Sequence, residues 1–428
     1  MRFVRIPNTG LWRHPDFLKL WAGETISIFG TLVGGLALGF VAIIWLDATA
    51  AEVAILALCQ IVPGFLIGPV AGVWVDRVHR RPIMIIADIG RFAALATIPL
   101  TALFDMLTVG QLWAVAAMVS GLTVFFDVAY QSYLPTLVKK EELLEGNSKL
   151  ETTASVAEVG GFGIAGWLVQ IATAPGAVLV DALSFLASAV AIWRIKAPEP
   201  PSPPAHERQH AVREAVEGMQ VLFGNAILRS LTTAAILYAI SSRLITVVLL
   251  LYLNRELGYG AGVLGMIFAV GGITSIPGAY LASRSDRFGG VGPAIVAAAF
   301  FRAAGLVPMV LVWDVSAWGY ALLVSGQLFD AAWIFYNINE LSLRQAIAEP
   351  RLQGRIHATN RFLEFGAMVV GTVAAGFLGS AVGFRETLFL AFGFQFAAAV
   401  TLLFSPVARL RATPTPAVAR LEEPASAG

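Results

Sequence analysis

The chain has 428 residues, of which 57% are hydrophobic and only 13% charged, with 29 Lys and Arg against 28 Asp and Glu for a net charge of +1. Soluble domains carry about 25% charged residues, so no single core absorbs this apolar excess and the bilayer has to act as solvent. The near-neutral balance excludes the basic footprint of a nucleic-acid-binding protein.

Residues 1–17 form a polar, basic N-terminal segment. The apolar run that follows, Phe17 to Leu46, is far longer than a signal-peptide core and reads as a retained first helix. Each run of roughly 20 apolar residues crosses about 30 Å of hydrocarbon, and the need to satisfy backbone groups internally makes each crossing helical. Six such spans are predicted at 18–46, 53–75, 83–104, 111–133, 153–172 and 177–195, giving an N-terminal six-helix bundle over 18–196. Residues 197–226 are a polar linker that opens on the Pro-rich stretch Ala197 to Pro204, too proline-rich to be regular throughout. A second bundle, 227–405, holds spans at 227–252, 261–283, 293–313, 318–338, 359–379 and 385–405, and residues 406–428 are a disordered tail. The fold class is thus an all-α integral membrane protein of twelve transmembrane helices in two six-helix, pseudo-symmetric bundles.

Lys and Arg set the orientation, because positively charged loops stay cytoplasmic. Placing the N-terminus inside puts nearly all of them on cytoplasmic segments; only Arg255 and Arg385 fall outside, and Arg91, Arg243 and Arg302 lie within spans. Both termini are therefore expected in the cytoplasm. Trp21 and Trp45 bracket the first helix, and Trp113, Trp313 and Trp318 mark outer edges, as interfacial aromatics do.

The halves repeat. Asp76-Arg77 follows the second helix and Asp286-Arg287 the eighth, while Phe126-Asp127 ends the fourth and Phe329-Asp330 the tenth. Two pairs in the same order point to a duplicated six-helix unit. The loop after the second helix, with Gly72, Asp76, Arg77, Arg80 and Arg81, resembles the signature of the major facilitator superfamily, although His79 stands where a second glycine is expected. Trp21 to Ser27, Ala87 to Arg91, Leu134-Pro135, Asn147 to Leu150 and Val180 to Phe185 are similar to the branch containing macrolide efflux proteins and the enterobactin exporter. The resemblance covers residues 13 to 405. Two antiporter marks depart from it: Phe162 replaces the proline of the helix-five glycine motif, and helix four has no arginine.

The resemblance implies a secondary exporter of amphipathic small molecules in the bacterial inner membrane, working by alternating access with protons as coupling ion. It also implies a conformational latch of Gly72, Asp76, Arg77, Arg80, Arg81, Asp286 and Arg287 that holds the outward-open state. For the arginines alone, positive-inside topology is the simpler reading; Asp76 argues for the latch, since a carboxylate at a helix end can pair in one conformation only.

Ionisable groups inside spans are costly unless paired or wetted. Glu24, Asp127, Arg243 and Asp330 lie in helices one, four, seven and ten, which the resemblance places around a central cavity. There Glu24 and Asp127 are expected to titrate during transport, and Arg243 to pair with one of them or bind an anionic substrate group. Asp127 and Asp330 have a second reading, as caps that tie helix ends, and Glu24 another, as an interface carboxylate bonded near Ser27. Asp88 and Arg91, spaced i, i+3, read as a self-neutralising structural pair. Glu158, Asp181, Arg302, Arg361 and Glu364 are set aside, and the helix-five glycines serve close packing. Cys59 stands alone and the five histidines are scattered, so no metal site, disulfide or cofactor is expected. With no nucleotide-binding loop and no recurring nucleophile and base, an enzyme is the least fitting class. An uptake carrier, a lysophospholipid flippase and a non-transporting receptor or scaffold remain as rivals, and a monomer is expected.

Overall fold

The computed structural model describes residues 10–75, 78–139, 142–199, 211–282, 284–348 and 352–412. Helix α1, Pro15–Phe40, starts where His14 Nδ1 accepts the Phe17 N–H at 3.0 Å and runs on into a wider turn, Val41–Trp45, closed by the Leu46 N–H on the Val41 carbonyl. Then come α2 Ala50–Val75, α3 Arg80–Leu103, α4 Val109–Leu137, α5 Leu143–Ala172 and α6 Ala174–Trp193. After α7, Ala211–Gly224, the series continues with α8 Ala226–Leu251, which also ends in a wide turn, Tyr252–Glu256, where the Leu257 N–H meets the Tyr252 carbonyl. Next are α9 Ala261–Ala282, α10 Val291–Val310, α11 Ala317–Gln327, α12 Asp330–Ile347, α13 Gln353–Ala381 and α14 Phe384–Leu403. Among the described residues, eleven stretches are long and apolar enough to cross a bilayer; α5, whose apolar stretch is Gly163–Ala172, is the remaining helix of the twelve.

Three features differ from the hydropathy reading. Helix α5 begins at Leu143, ten residues before the predicted span, with Glu145 near the positive N-terminal end. The linker, expected not to be regular throughout, carries a helix over Ala211–Gly224, and Leu222 is buried with Leu228, Ala348, Leu352 and Ile356. The tenth span is broken at Leu328 and Phe329 without a proline. Thr274 of α9 donates to the Gln327 carbonyl at 2.9 Å, supplying from a neighbouring helix a bond that the broken ladder drops.

The chain forms two compact units, Met1–Glu207 with Tyr259–Ala269, and Arg208–Gly258 with Val270–Gly428. In the first, α1 packs on α6 and α5, α3 on α6 and α4, and α2 on α4; in the second, α8 packs on α14 and α13, and α10 on α14, α11 and α12. Apart from α2 on α4, the same scheme recurs in both. Without a hydrophobic drive between helices in lipid, close packing needs small residues at the contacts. Gly30 and Gly34 bring α1 onto α6 so tightly that a Cβ at either would collide, with Ser184 Oγ and Asp181 Oδ2 respectively. Gly166 of α5 meets Gly265 Cα within the first unit, the packing role expected for the helix-five glycines.

Candidate functional site

In the first unit, four helices direct charge to one place. On α3 a single turn brings Asp88 and Arg91 together, and the guanidinium Nη2 donates directly to Asp88 Oδ1, both residues being buried. Packing of α4 and α6 on α3 sets Phe126 and Phe185 over that guanidinium, with ring centres 4.3 and 4.1 Å from its carbon. Glu24 of α1, Asp127 of α4 and Asp181 of α6 all lie within electrostatic reach of Arg91, and Glu24 also interacts with Asp127 and Asp88. Four carboxylates therefore share one guanidinium. Glu24 Oε2, Asp88 Oδ2 and Asp181 Oδ1 are buried without a hydrogen-bond partner, whereas the Asp127 side chain is exposed.

The second unit repeats the arrangement in weaker form. Arg302 stands as far from the start of α10, Val291, as Arg91 does from the start of α3, Arg80. Its guanidinium carbon lies 4.0 Å over the Tyr238 ring and 6.0 Å from that of Tyr336, and Asp330 is within electrostatic reach. Each half thus couples a helix-three arginine, flanked by two rings, to the aspartate of the repeated Phe-Asp. Arg243 of α8 donates from Nη2 to Met368 Sδ at 3.8 Å, while its buried Nε has no hydrogen-bond partner. Asp330 packs against Gly271, where a Cβ would collide with its carboxylate.

Of the residues expected to form a latch, Asp76 and Arg77 lie outside the described residues, as does the side chain of Asp286. Gly72 is in α2 and Arg287 is exposed on the turn Ser285–Phe288. Arg80 and Arg81 open α3, where Glu199 accepts both backbone N–H groups, at 2.7 and 3.2 Å, and caps the helix; Arg80 Nη1 also meets Glu199 at 3.4 Å. Outside the spans, Glu145 accepts from Lys149 Nζ at 2.6 Å and from the Leu11 N–H at 3.1 Å, bonds that hold its carboxyl below the ordinary 4.5. Among the described residues no group of three or more His, Cys, Asp or Glu is arranged to hold a metal ion.

The Major Facilitator Superfamily model matches residues 25–371. The chain belongs to this superfamily. This superfamily member is 26% identical over 226 residues to Macrolide efflux protein A of Streptococcus pyogenes, covering 52% of the chain and 55% of that protein, so the match spans about half the relative's length. To Multidrug efflux pump Tap of Mycolicibacterium fortuitum it is 25% identical over 403 residues, covering 89% and 92%. A bacterial homologue of the iron transporter ferroportin superposes at TM-score 0.73 with 17% identity over 92% and 99% of the two chains. The nucleoside transporter NupG does so at 0.70 with 12% identity over 91% and 98%. These likenesses fix the fold. The protein is accordingly a multi-pass member of the major facilitator superfamily, with helices long and apolar enough to cross a bilayer.

Sequence reasoning singled out Glu24 and Asp127, read Asp88 and Arg91 as a structural pair and set aside Asp181, and the structure places all five around one point. The signal that could have found them is the repeat itself, since Arg91 and Arg302 occupy matching places in α3 and α10 of this superfamily member.

Proposed function

We propose that the protein is a secondary exporter of amphipathic small molecules, driven by protons that load and leave through Glu24 and Asp127 beside Arg91. The observation that carries this reading is the imbalance of four carboxylates around one guanidinium. Uncompensated charge inside a bilayer costs at least about 2.5 kcal/mol per group, so the excess calls for protons or a cationic substrate to neutralise it. Asp127 is open, which suits exchange with water, Glu24 interacts with it from a more buried place, and Asp88 keeps Arg91 in position. Arg243, whose hydrogen-bonding partner is a thioether, is assigned to an anionic or polar group of the substrate. The likeness to two efflux proteins supports the outward direction. A cytoplasmic location for both termini, the bacterial inner membrane, a monomeric state and a latch built on Gly72, Asp76, Arg77, Arg80, Arg81, Asp286 and Arg287 belong to the same reading.

The test is transport of a radiolabelled macrolide and of ethidium in proteoliposomes with an imposed pH gradient. Gradient-driven flux is expected to vanish with a protonophore and to fall at least tenfold in Glu24→Gln and in Asp127→Asn. Retention of the gradient-driven component by both variants sinks the coupling assignment; flux only down the substrate's own gradient would make the protein a facilitator.

A further inference from the structure

The loop entering α3 and the chain leaving α6 enclose a cleft of about 510 Å³ at one end of the first unit. Its lower wall is apolar: Ile86 and Trp193 are 65% and 67% exposed on the outer surface of membrane-spanning helices, where lipid is the surrounding medium. Its rim is basic, with His79, Arg81 and Lys196. The one carboxylate in the lining, Glu199, is turned onto the α3 N-terminus and paired with Arg80. Arg81 spends its Nε and Nη2 on the carbonyls of Ile192 and Trp193 at the end of α6, neutral acceptors that fix the guanidinium without cancelling its charge. The exposed Lys196 is anchored by its backbone, whose N–H donates to Asp16 at 3.3 Å, leaving the ammonium on the rim.

A guanidinium fixed by its carbonyl partners and an exposed ammonium, above an apolar, aromatic wall at the level of a helix end, complement a phosphate joined to acyl chains. We propose that this cleft binds an anionic phospholipid, its phosphate between Arg81 and Lys196 and its chains along Ile86 and Trp193. A bound lipid would tie α3 to α6, the helices that carry Arg91, Asp88 and Asp181. The proposal is independent of substrate, direction and coupling ion.

The experiment is native mass spectrometry of the purified full chain titrated with phosphatidylglycerol or with phosphatidylcholine of the same acyl chains. Wild type is expected to keep one phosphatidylglycerol per chain and to prefer it roughly tenfold over phosphatidylcholine. Lys196→Glu is expected to weaken phosphatidylglycerol roughly tenfold, the loss and reversal of a surface cation. Trp193→Ala is expected to weaken both lipids, and Lys196→Gln, which leaves the backbone bond to Asp16 in place, to lie between wild type and Lys196→Glu. Millimolar inorganic phosphate is expected to leave the lipid bound. The assignment is overturned by equal affinity for the two lipids, by wild-type retention in Lys196→Glu and Lys196→Gln, or by displacement with inorganic phosphate, which would make the cleft a simple anion site.

Discussion

Replacing Arg91 by Met tests whether the guanidinium serves Asp88 alone or the whole group of carboxylates. Both members of the ion pair are buried, at 3% and 0% exposure, so removing one partner leaves an uncompensated charge, a loss of about 3–5 kcal/mol. Met keeps most of the side-chain volume but forfeits the contacts with Phe126 and Phe185, each worth about 0.5–2 kcal/mol. Asp88→Asn is expected to cost less, because Arg91 still has Glu24, Asp127 and Asp181 within reach. An isolated pair behaves differently: beyond the ring contacts that Arg91→Met loses, its two single variants cost about the same, and the double variant recovers nearly all of that common loss. Here Asp88→Asn with Arg91→Met is expected to recover only part, since three carboxylates stay without their cation. The assay is unfolding of the purified protein in mild detergent by dodecyl sulfate, followed by tryptophan fluorescence, as a double-mutant cycle. Single losses that differ only by the ring contacts, with recovery of all the rest in the double variant, would refute the shared-guanidinium reading.

Gly34→Ala drives a methyl group into Asp181 and is expected to destabilise by about 1–3 kcal/mol, whereas Gly35→Ala, which meets nothing within 4 Å, is expected to be neutral or to gain up to about 1 kcal/mol; the same unfolding assay checks both. Thr274→Val removes the donor to the Gln327 carbonyl at the break in the tenth span and is expected to cost about 1–3 kcal/mol, with faster backbone hydrogen exchange confined to residues around 327. The Glu145 carboxyl, stabilised in its charged form by Lys149 and the Leu11 N–H, contributes stability that is complete above its ordinary 4.5 and is lost as pH falls through its lower folded value. Because Lys149 Nζ lies 4.3 Å over the Trp12 ring, Trp12 fluorescence is expected to change with a midpoint below 4.5, and Glu145→Gln to abolish that transition.

The span positions were legible because a bilayer imposes its thickness on the chain, and apolar runs such as Ala174–Trp193 have little other use. Local exceptions were not. The break after Gln327 has no proline to announce it and depends on a hydroxyl 53 residues away in sequence. Helix α7 needs a partner to cover Leu222, and that partner, Ile356, lies on α13. The charged group in the first unit escaped for a related reason. Asp88 and Arg91 satisfy a helical pairing rule by themselves, which hides that α1, α4 and α6 each deliver another carboxylate to the same guanidinium. Glu24 and Asp127 were legible one at a time, as costly charges in apolar runs, but their common partner is a property of packing.

The wide turns that end α1 and the helix beginning at Ala226 carry a historical consequence. Each closes on a bond reaching five residues back, Leu46 to Val41 at 3.0 Å and Leu257 to Tyr252 at 3.1 Å, so each accommodates one residue more than an α-helical turn. With their turns, the two helices have the same length, 31 residues. A single-residue insertion at the same point of two separately evolving halves requires the same accident twice. One insertion in the ancestral six-helix unit, copied when that unit duplicated, requires it once. Matching bulges are what a single insertion before the duplication of a six-helix unit would leave in both halves.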